Sequence, residues 1–154
     1  MQNQGKIIHW ANFTKSFLSL VYKLRPPVVN FRTINYSKMN VEEIQAICKA
    51  MPSVTEDIKW GHDLVFSIGG KMFCVVGLDQ SPTTASFKVT EEEFEEMCNR
   101  DGFKPAPYVA KYKWVWIDDI QKMNKKDWNH YIKQSYNLVR DKLPAKMKKQ
   151  LGVS

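Results

Sequence analysis

The sequence predicts an α+β fold, in which helices pack on one face of an antiparallel sheet. The first observation behind this prediction is the order of the patterns: a helix, several short strands, a second helix, one more strand and a long helix. The second is Gly69-Gly70 between two runs of β-forming residues, which is typical of a hairpin. The third is the length of 154 residues, which is that of one domain.

The helices are predicted from capping residues that precede apolar positions at helical spacing. Asn40 begins the first helix. Thr90, with Glu93 three residues later, begins the second helix in a capping box. Asn124 begins the long last helix, and Pro144 separates it from a short basic helix.

The strands are predicted from runs of β-branched and aromatic residues. Residues 64–68 and 71–76 form the hairpin, and residues 85–89 form the next strand. A short strand near residues 58–60 precedes the hairpin. Basic residues alternate with aromatic or apolar residues over 111–117, which predicts one more strand after a proline-rich loop.

Two tryptophans on that last strand invite opposite interpretations. Trp114 and Trp116 lie two residues apart and therefore share a face with Tyr112. We expect this face to pack in the core and Lys111 and Lys113 to be ordinary solvated residues. In the alternative, these lysines and the neighbouring aromatic rings bind the phosphates and bases of a nucleic acid.

The net charge of +7 is distributed unevenly along the chain. Residues 1–38 contain six basic and no acidic residues, residues 39–103 contain 5 basic and 12 acidic, and residues 104–154 contain 12 basic and 4 acidic. The part after residue 38 is therefore almost neutral but strongly polarised. The high overall charge by itself says little about nucleic-acid binding.

This charge pattern divides the chain into two parts. Residues 1–38 are predicted to be a basic N-terminal extension that is disordered or outside the fold, and residues 39–154 a single domain. The extension also fits an organelle-targeting peptide, because it is free of acidic residues and has apolar residues at helical spacing. No apolar run approaches the roughly 18 residues that span a bilayer.

The sequence offers no recognisable catalytic or metal-binding motif. Cys48, Cys74 and Cys98 are too widely spaced for a zinc site or a disulfide framework, which favours a reducing, cytoplasmic location. His62 and Asp63 are adjacent, and adjacent strand residues point to opposite faces. We therefore expect no enzyme activity, no cofactor and no metal.

Several short motifs, taken in order over about residues 40–151, resemble the MmcQ/YjbR-like family. They are Met51-Pro52-Ser53-Val54-Thr55-Glu56, Trp60-Gly61, Gly70-Lys71-Met72-Phe73, Phe87-Lys88, Pro105-Ala106-Pro107-Tyr108, Lys113-Trp114-Val115, Ser135-Tyr136-Asn137-Leu138-Val139 and Lys142-Leu143-Pro144. The resemblance implies a frataxin-like (CyaY-like) fold and a DNA-binding role, since the family is commonly described as binding DNA through a double-wing arrangement. It implies no catalytic residues and no cofactor.

These observations predict a non-catalytic protein that binds nucleic acid, DNA in particular, with little sequence specificity. The predicted contacts are Lys71, Lys88, Lys104, Tyr108, Lys111 and Lys113. Lys71 is included because a glycine pair beside a lysine can form an anion-binding turn. The alternative is a protein-interaction or small-anion-binding domain, with self-association through the oppositely charged segments.

Overall fold

The structure is a computed structural model that describes residues 38–153. The predicted extension lies outside these residues, except for Lys38. The helices are α1 (Val41–Lys49), α2 (Glu91–Cys98), α3 (Lys125–Arg140) and α4 (Ala145–Leu151). The strands are β1 (Val54–Lys59), β2 (Asp63–Ile68), β3 (Lys71–Gly77), β4 (Thr84–Lys88), β5 (Phe103–Pro105) and β6 (Trp114–Ile117), with 3-10 turns at Ala110–Tyr112 and Ile120–Lys122.

The six strands form one antiparallel sheet in the order β1-β2-β3-β4-β6-β5. Gly69 and Gly70 join β2 to β3 with φ values of 54° and 74°, the left-handed conformation that a tight hairpin turn requires. β6 lies between β4 and β5, and β5 forms the edge of the sheet, so the last two strands are not in chain order. The predicted α+β class is confirmed.

The predicted helix caps are present. The Asn40 side chain accepts a hydrogen bond from the backbone N–H of Glu43 at 2.7 Å. Thr90 and Glu93 form both bonds of the capping box, at 3.3 Å and 3.0 Å. Asn124 caps α3 in the same way as Asn40 caps α1. These contacts satisfy N–H groups that the first helical turn leaves without intrahelical partners.

The main core lies between one face of the sheet and the helices. Phe66, Phe73 and Phe87 point into it from β2, β3 and β4, and Trp128 and Ile132 meet them from α3. All five side chains are fully buried. Successive strand side chains point to opposite faces of the sheet, so the apolar residues that meet the long amphipathic helix alternate with residues that point away from it.

Ser135 is the polar residue at the centre of this helix–sheet contact. Its hydroxyl donates to the carbonyl oxygen of Phe73 at 2.5 Å and accepts from the N–H of Lys88 at 2.9 Å. A buried backbone group without a partner destabilises a fold, so this hydroxyl links α3 to two neighbouring strands where their own pairing ends. The serine of the closing family motif therefore has a structural task.

The strand predicted over residues 111–117 is wrong over its first three residues. Ala110–Tyr112 is a 3-10 turn, and Lys113 ends it in the left-handed conformation, with φ of 63°. The strand begins only at Trp114. The predicted loop at 104–108 also contains more structure than expected, because Phe103–Pro105 pairs with β6 as an edge strand.

Candidate functional site

The face of the sheet away from the helices carries its own row of cross-strand neighbours. The strand register places six residues side by side across the sheet, and alternation directs their side chains away from the core. They are Asp57, Val65, Val75, Ser86, Trp116 and Lys104. None of the six belongs to the main core cluster. We call this side of the sheet the open face.

A pocket of about 560 Å³ lies on the open face. This volume is within the range of roughly 300–1,000 Å³ that is typical of small-molecule sites. We call it the aromatic pocket. It is lined by Trp60, His62, Asp63, Met72, Val75, Gly77, Gln80, Thr84, Ala85, Ser86, Ala106, Pro107, Tyr108, Val109, Trp114 and Trp116.

One end of the pocket is formed by the two tryptophans of β6. Trp114 and Trp116 do share one face, as the sequence predicts, but that face is the open one and not the helix-packed core. Trp114 is only 6% exposed, yet it does not belong to the main core cluster. The alternate residues Val115 and Ile117 take the core positions. The expected burial is therefore found for Trp114, whereas Trp116 is half-buried, and neither packs in the helix-covered cluster.

Two more aromatic residues stand at the rim of the pocket. Trp60 is 63% exposed and Tyr108 is 99% exposed. Both have left-handed backbones, with φ of 53° and 64°. Large side chains are uncommon in this conformation, and such strained residues concentrate at functional sites.

The other end of the pocket is polar and lies over Gly77, which has no side chain. A Cβ atom on Gly77 would lie 2.7 Å from Thr84 Oγ1 and 3.8 Å from Asp63 Oδ1. The two oxygens therefore converge above a glycine that leaves the floor open. His62 Nε2 lies 3.8 Å from Asp63 Oδ1, and His62 Nδ1 lies 4.0 Å from Asp79 Oδ2.

Asp63 is the carboxylate that lines the pocket. Its side chain is 24% exposed. Burial raises the pKa of Asp63 above the usual aspartate value, the charge of His62 lowers it, and the charge of Asp79 raises it further. Since burial is the leading cause, the ionised carboxylate lacks part of the solvation that it has in water.

Two of the predicted cations lie beside aromatic rings at the tryptophan end. Lys104 Nζ lies 5.7 Å from the centre of the Trp116 ring. Lys111 Nζ lies 5.0 Å from the Tyr112 ring, in the turn that follows the pocket residue Val109. Of the predicted set, Tyr108 lines the pocket, Lys104 lies over the pocket residue Trp116, and Lys111 lies two residues after the pocket residue Val109.

Lys88 is already engaged within the fold. It is 8% exposed, and its ammonium group donates to the carbonyl oxygen of Tyr112. Burial lowers the pKa of Lys88, and the charges of Lys142 and Lys113 lower it further. These contacts tie the 3-10 turn to the sheet.

Lys113 is also engaged. Its Nζ lies 2.7 Å from Glu91 Oε1 and 5.3 Å from the centre of the Phe94 ring. The hydrogen bond that Lys113 donates to the Glu91 carboxylate raises the pKa of Lys113, and the negative charge of Glu91 raises it further. The lysine holds the turn against the start of α2; it is not the strand residue that the sequence predicts, and its side chain is paired while remaining partly exposed.

Lys71 does not line the pocket. It is exposed at the first residue of β3, next to the pocket residue Met72. The six predicted residues thus divide into three beside the pocket, two that hold the 3-10 turn, and Lys71 alone.

Trp60, Asp63, Thr84, Trp114 and Trp116 are site residues that the sequence reasoning did not select. A signal for the last two was available, because β6 reads Trp-Val-Trp-Ile and is apolar on both faces. A strand with two apolar faces indicates that both are covered or that one binds a partner. Asp63 and Thr84 gave no such signal, since they meet only across the strand pairing.

The comparisons with known proteins agree with this architecture. The YjbR family model matches residues 49–138, which is more than half of the chain. The chain belongs to the YjbR family, as the resemblance predicts. No curated protein matches the chain.

Two solved structures share the fold. One is the crystal structure of a Deinococcus radiodurans protein with a DUF419 domain, with a TM-score of 0.68 and 23% identity over 76% of this chain and 91% of that chain. The other is a Pseudomonas syringae protein, with a TM-score of 0.55 and 17% identity over 66% of this chain and 99% of that chain. At these identities the likeness shows the fold alone.

No helix within residues 38–153 is long and apolar enough to cross a membrane. Within the same range, no three His, Cys, Asp or Glu side chains form a group that could hold a metal ion.

Proposed function

We propose that this chain is a non-catalytic, cytoplasmic nucleic-acid-binding protein that takes an unpaired base into the aromatic pocket. The observation that supports this proposal is the position of exposed aromatic rings next to two lysines, Lys104 and Lys111, that have no carboxylate partner among the described residues. Aromatic rings stack on bases, and lysines bind the phosphates that flank them.

The proposal favours single-stranded over double-stranded nucleic acid. A base in a duplex is stacked and paired, so it reaches a concave pocket only after unpairing. An unpaired strand presents its bases at no such cost, and sequence-tolerant proteins of this kind combine a cationic path for the backbone with aromatic stacking. Residues at the tryptophan end of the pocket offer both.

The test measures fluorescence anisotropy of labelled oligonucleotides with the full chain over about 50 to about 300 mM salt. The single strand is expected to bind more tightly than the duplex. The double variant Lys104→Ala/Lys111→Ala is expected to flatten the slope of log K against log salt by about 1.4, because each phosphate contact on a single strand contributes about 0.7.

Two controls separate the pocket from the rest of the basic surface. Tyr108→Ala is expected to weaken binding by about 5-fold or more, since stacking contributes about 1–3 kcal/mol per base. Lys126→Ala removes an exposed charge on α3, which packs on the other face of the sheet, and is expected to leave the affinity within about 2-fold. Binding that all three pocket substitutions leave unchanged would contradict the proposal and place the contact elsewhere in the chain.

A second candidate function is self-association through an apolar surface beside the pocket. Ile58 and Leu78 are 51% and 45% exposed. Ile58 lies two residues before Trp60 in the chain, and the backbone N–H of Leu78 donates to the carbonyl oxygen of His62, two residues after Trp60. This candidate corresponds to the protein-interaction alternative that the sequence predicts. Light scattering at low and high salt tests it: a dimer that Ile58→Ser disrupts supports the candidate, and a monomer at all salt concentrations overturns it.

A further inference from the structure

The polar end of the aromatic pocket has a chemistry that the stacking of a base does not use. Its lining contains one carboxylate, Asp63, two hydroxyls, Thr84 and Ser86, and the side chains of His62 and Gln80, but no lysine or arginine. The lysines lie at the tryptophan end, as described above. The tryptophan end of the pocket therefore suits a phosphate, and the polar end suits a ligand group that donates hydrogen bonds to Asp63.

Asp63 is the pocket residue that would recognise a ligand through hydrogen bonds. An ionised carboxylate only accepts hydrogen bonds, and its two oxygens suit two parallel N–H donors. Within residues 38–153, Lys59 is the cross-strand partner of Asp63 but forms no ion pair with it, and His62 Nε2 lies 3.8 Å from Oδ1, beyond hydrogen-bond distance. The glycine at position 77 leaves the approach to Asp63 and Thr84 open.

We infer that the aromatic pocket selects guanine, with the Asp63 carboxylate accepting from the two adjacent N–H groups of the guanine Watson–Crick edge. This inference rests on the proposed function and adds one specific position to an otherwise sequence-tolerant contact. The ring lies between the aromatic side chains, and its edge points to the polar end. Thr84 Oγ1 is placed to bond the same edge of the base.

The other bases do not offer this pattern. Adenine and cytosine present one amino donor next to a ring nitrogen that accepts, and thymine and uracil present one N–H between two carbonyl oxygens. Each would direct a lone pair at an Asp63 oxygen. Burying mismatched polar groups is penalised more strongly than losing a hydrogen bond to water, so these bases are disfavoured.

The experiment uses the full chain and fluorescein-labelled ten-nucleotide thymidine strands that differ only at one central position. A central guanine is expected to bind about 10-fold more tightly than a central adenine, cytosine or thymine, which is within the range of one bidentate base contact. Replacing guanine by hypoxanthine removes the 2-amino donor and is expected to abolish most of this preference.

Asp63→Asn supplies the matched protein variant, because an amide presents one donor and one acceptor in nearly the same shape. It is expected to lose the guanine preference to within about 2-fold while keeping the salt-dependent binding. Asp79→Asn makes the same charge change next to His62 but outside the pocket lining, and it is expected to retain the preference.

The outcomes separate this inference from the proposed function. Equal, salt-dependent binding of all four strands overturns the guanine inference and leaves the proposed function standing. Absence of binding by any strand overturns the proposed function, and free GMP then tests the pocket alone. GMP binding that Asp63→Asn abolishes supports guanine recognition with a free nucleotide as its source, whereas no preference for GMP over CMP overturns it.

Discussion

Ser86 and Phe87 are neighbours on β4, yet their side chains meet opposite surroundings. Phe87 is fully buried against α3, with its ring centre 5.5 Å from that of Trp128 and 5.8 Å from that of Tyr131. Ser86 faces the aromatic pocket between Val75 and Trp116. Within residues 38–153, the helices therefore pack on one face of the sheet, and the other face carries the aromatic residues of the pocket.

This difference shows how the two faces divide stability and binding. Polar groups on the helix-covered face are satisfied within the fold, as Ser135 illustrates. The open face has strained backbones at Trp60 and Tyr108 and a partly desolvated carboxylate at Asp63. Features that lower stability while shaping a pocket are typical of sites selected for binding.

The largest expected effect is on the helix-covered face. Phe87→Ala removes a fully buried ring and leaves a cavity, so the free energy of unfolding is expected to fall by about 3–5 kcal/mol. Ser86→Ala, on the same strand and the opposite face, is expected to change it by less than about 0.5 kcal/mol. Urea denaturation measures both, and equal losses would contradict the division between the faces.

Ser135→Ala tests the polar link in the core. The substitution leaves the carbonyl of Phe73 and the N–H of Lys88 without their buried partner, and it is expected to lower the free energy of unfolding by about 1–3 kcal/mol. Ser135→Thr keeps the hydroxyl and serves as the comparison in the same denaturation experiment. A loss for Ser135→Ala no larger than that for an exposed serine would show that the link contributes little.

Tyr108→Gly tests strain on the open face, and here the expected sign is reversed. Glycine adopts the left-handed conformation without the penalty of about 1–2 kcal/mol, while its greater freedom in the unfolded chain offsets part of that gain. The Tyr108 side chain is almost fully exposed, so little packing is lost. We expect stability to rise by about 0.5 kcal/mol while oligonucleotide binding weakens. Thermal unfolding and anisotropy measure the two effects.

The smallest expected effect concerns the pH dependence of stability at Asp63. Because folding raises the pKa of this carboxyl, its contribution to stability is fully present below the unfolded pKa and is lost as the pH rises through the folded pKa. Asp63→Asn removes this loss. We expect the variant to melt slightly above the parent at pH 7 and at the same temperature near pH 3. A variant that melts lower at pH 7 would contradict the assigned cause.

Much of the fold follows from short-range signals in the sequence. The turn at Gly69-Gly70 and the caps at Asn40, Thr90 and Asn124 occur where the sequence predicts them. Each involves hydrogen bonds or dihedral angles within about four residues, which a local pattern contains. The family resemblance extended this local reading to the whole domain.

The site was less accessible to prediction because it depends on contacts between distant residues. The Lys88 ammonium group is held by the carbonyl oxygen of Tyr112, and Lys113 pairs with Glu91 from a turn because the strand starts three residues later than the alternation predicts. Neither event is visible in the residues next to these lysines. Lys104, Tyr108 and Lys111 lie close in sequence, which is why they were found together.

The sequence by itself determined the element types, the hairpin, the helix caps and the shared face of Trp114 and Trp116. Only the tertiary structure decided that this face is the open one, and that Asp63 and Thr84 meet above Gly77. The physical reason is that a period of two assigns side chains to the same side of a strand. Which side the helices cover depends on the path of the whole chain.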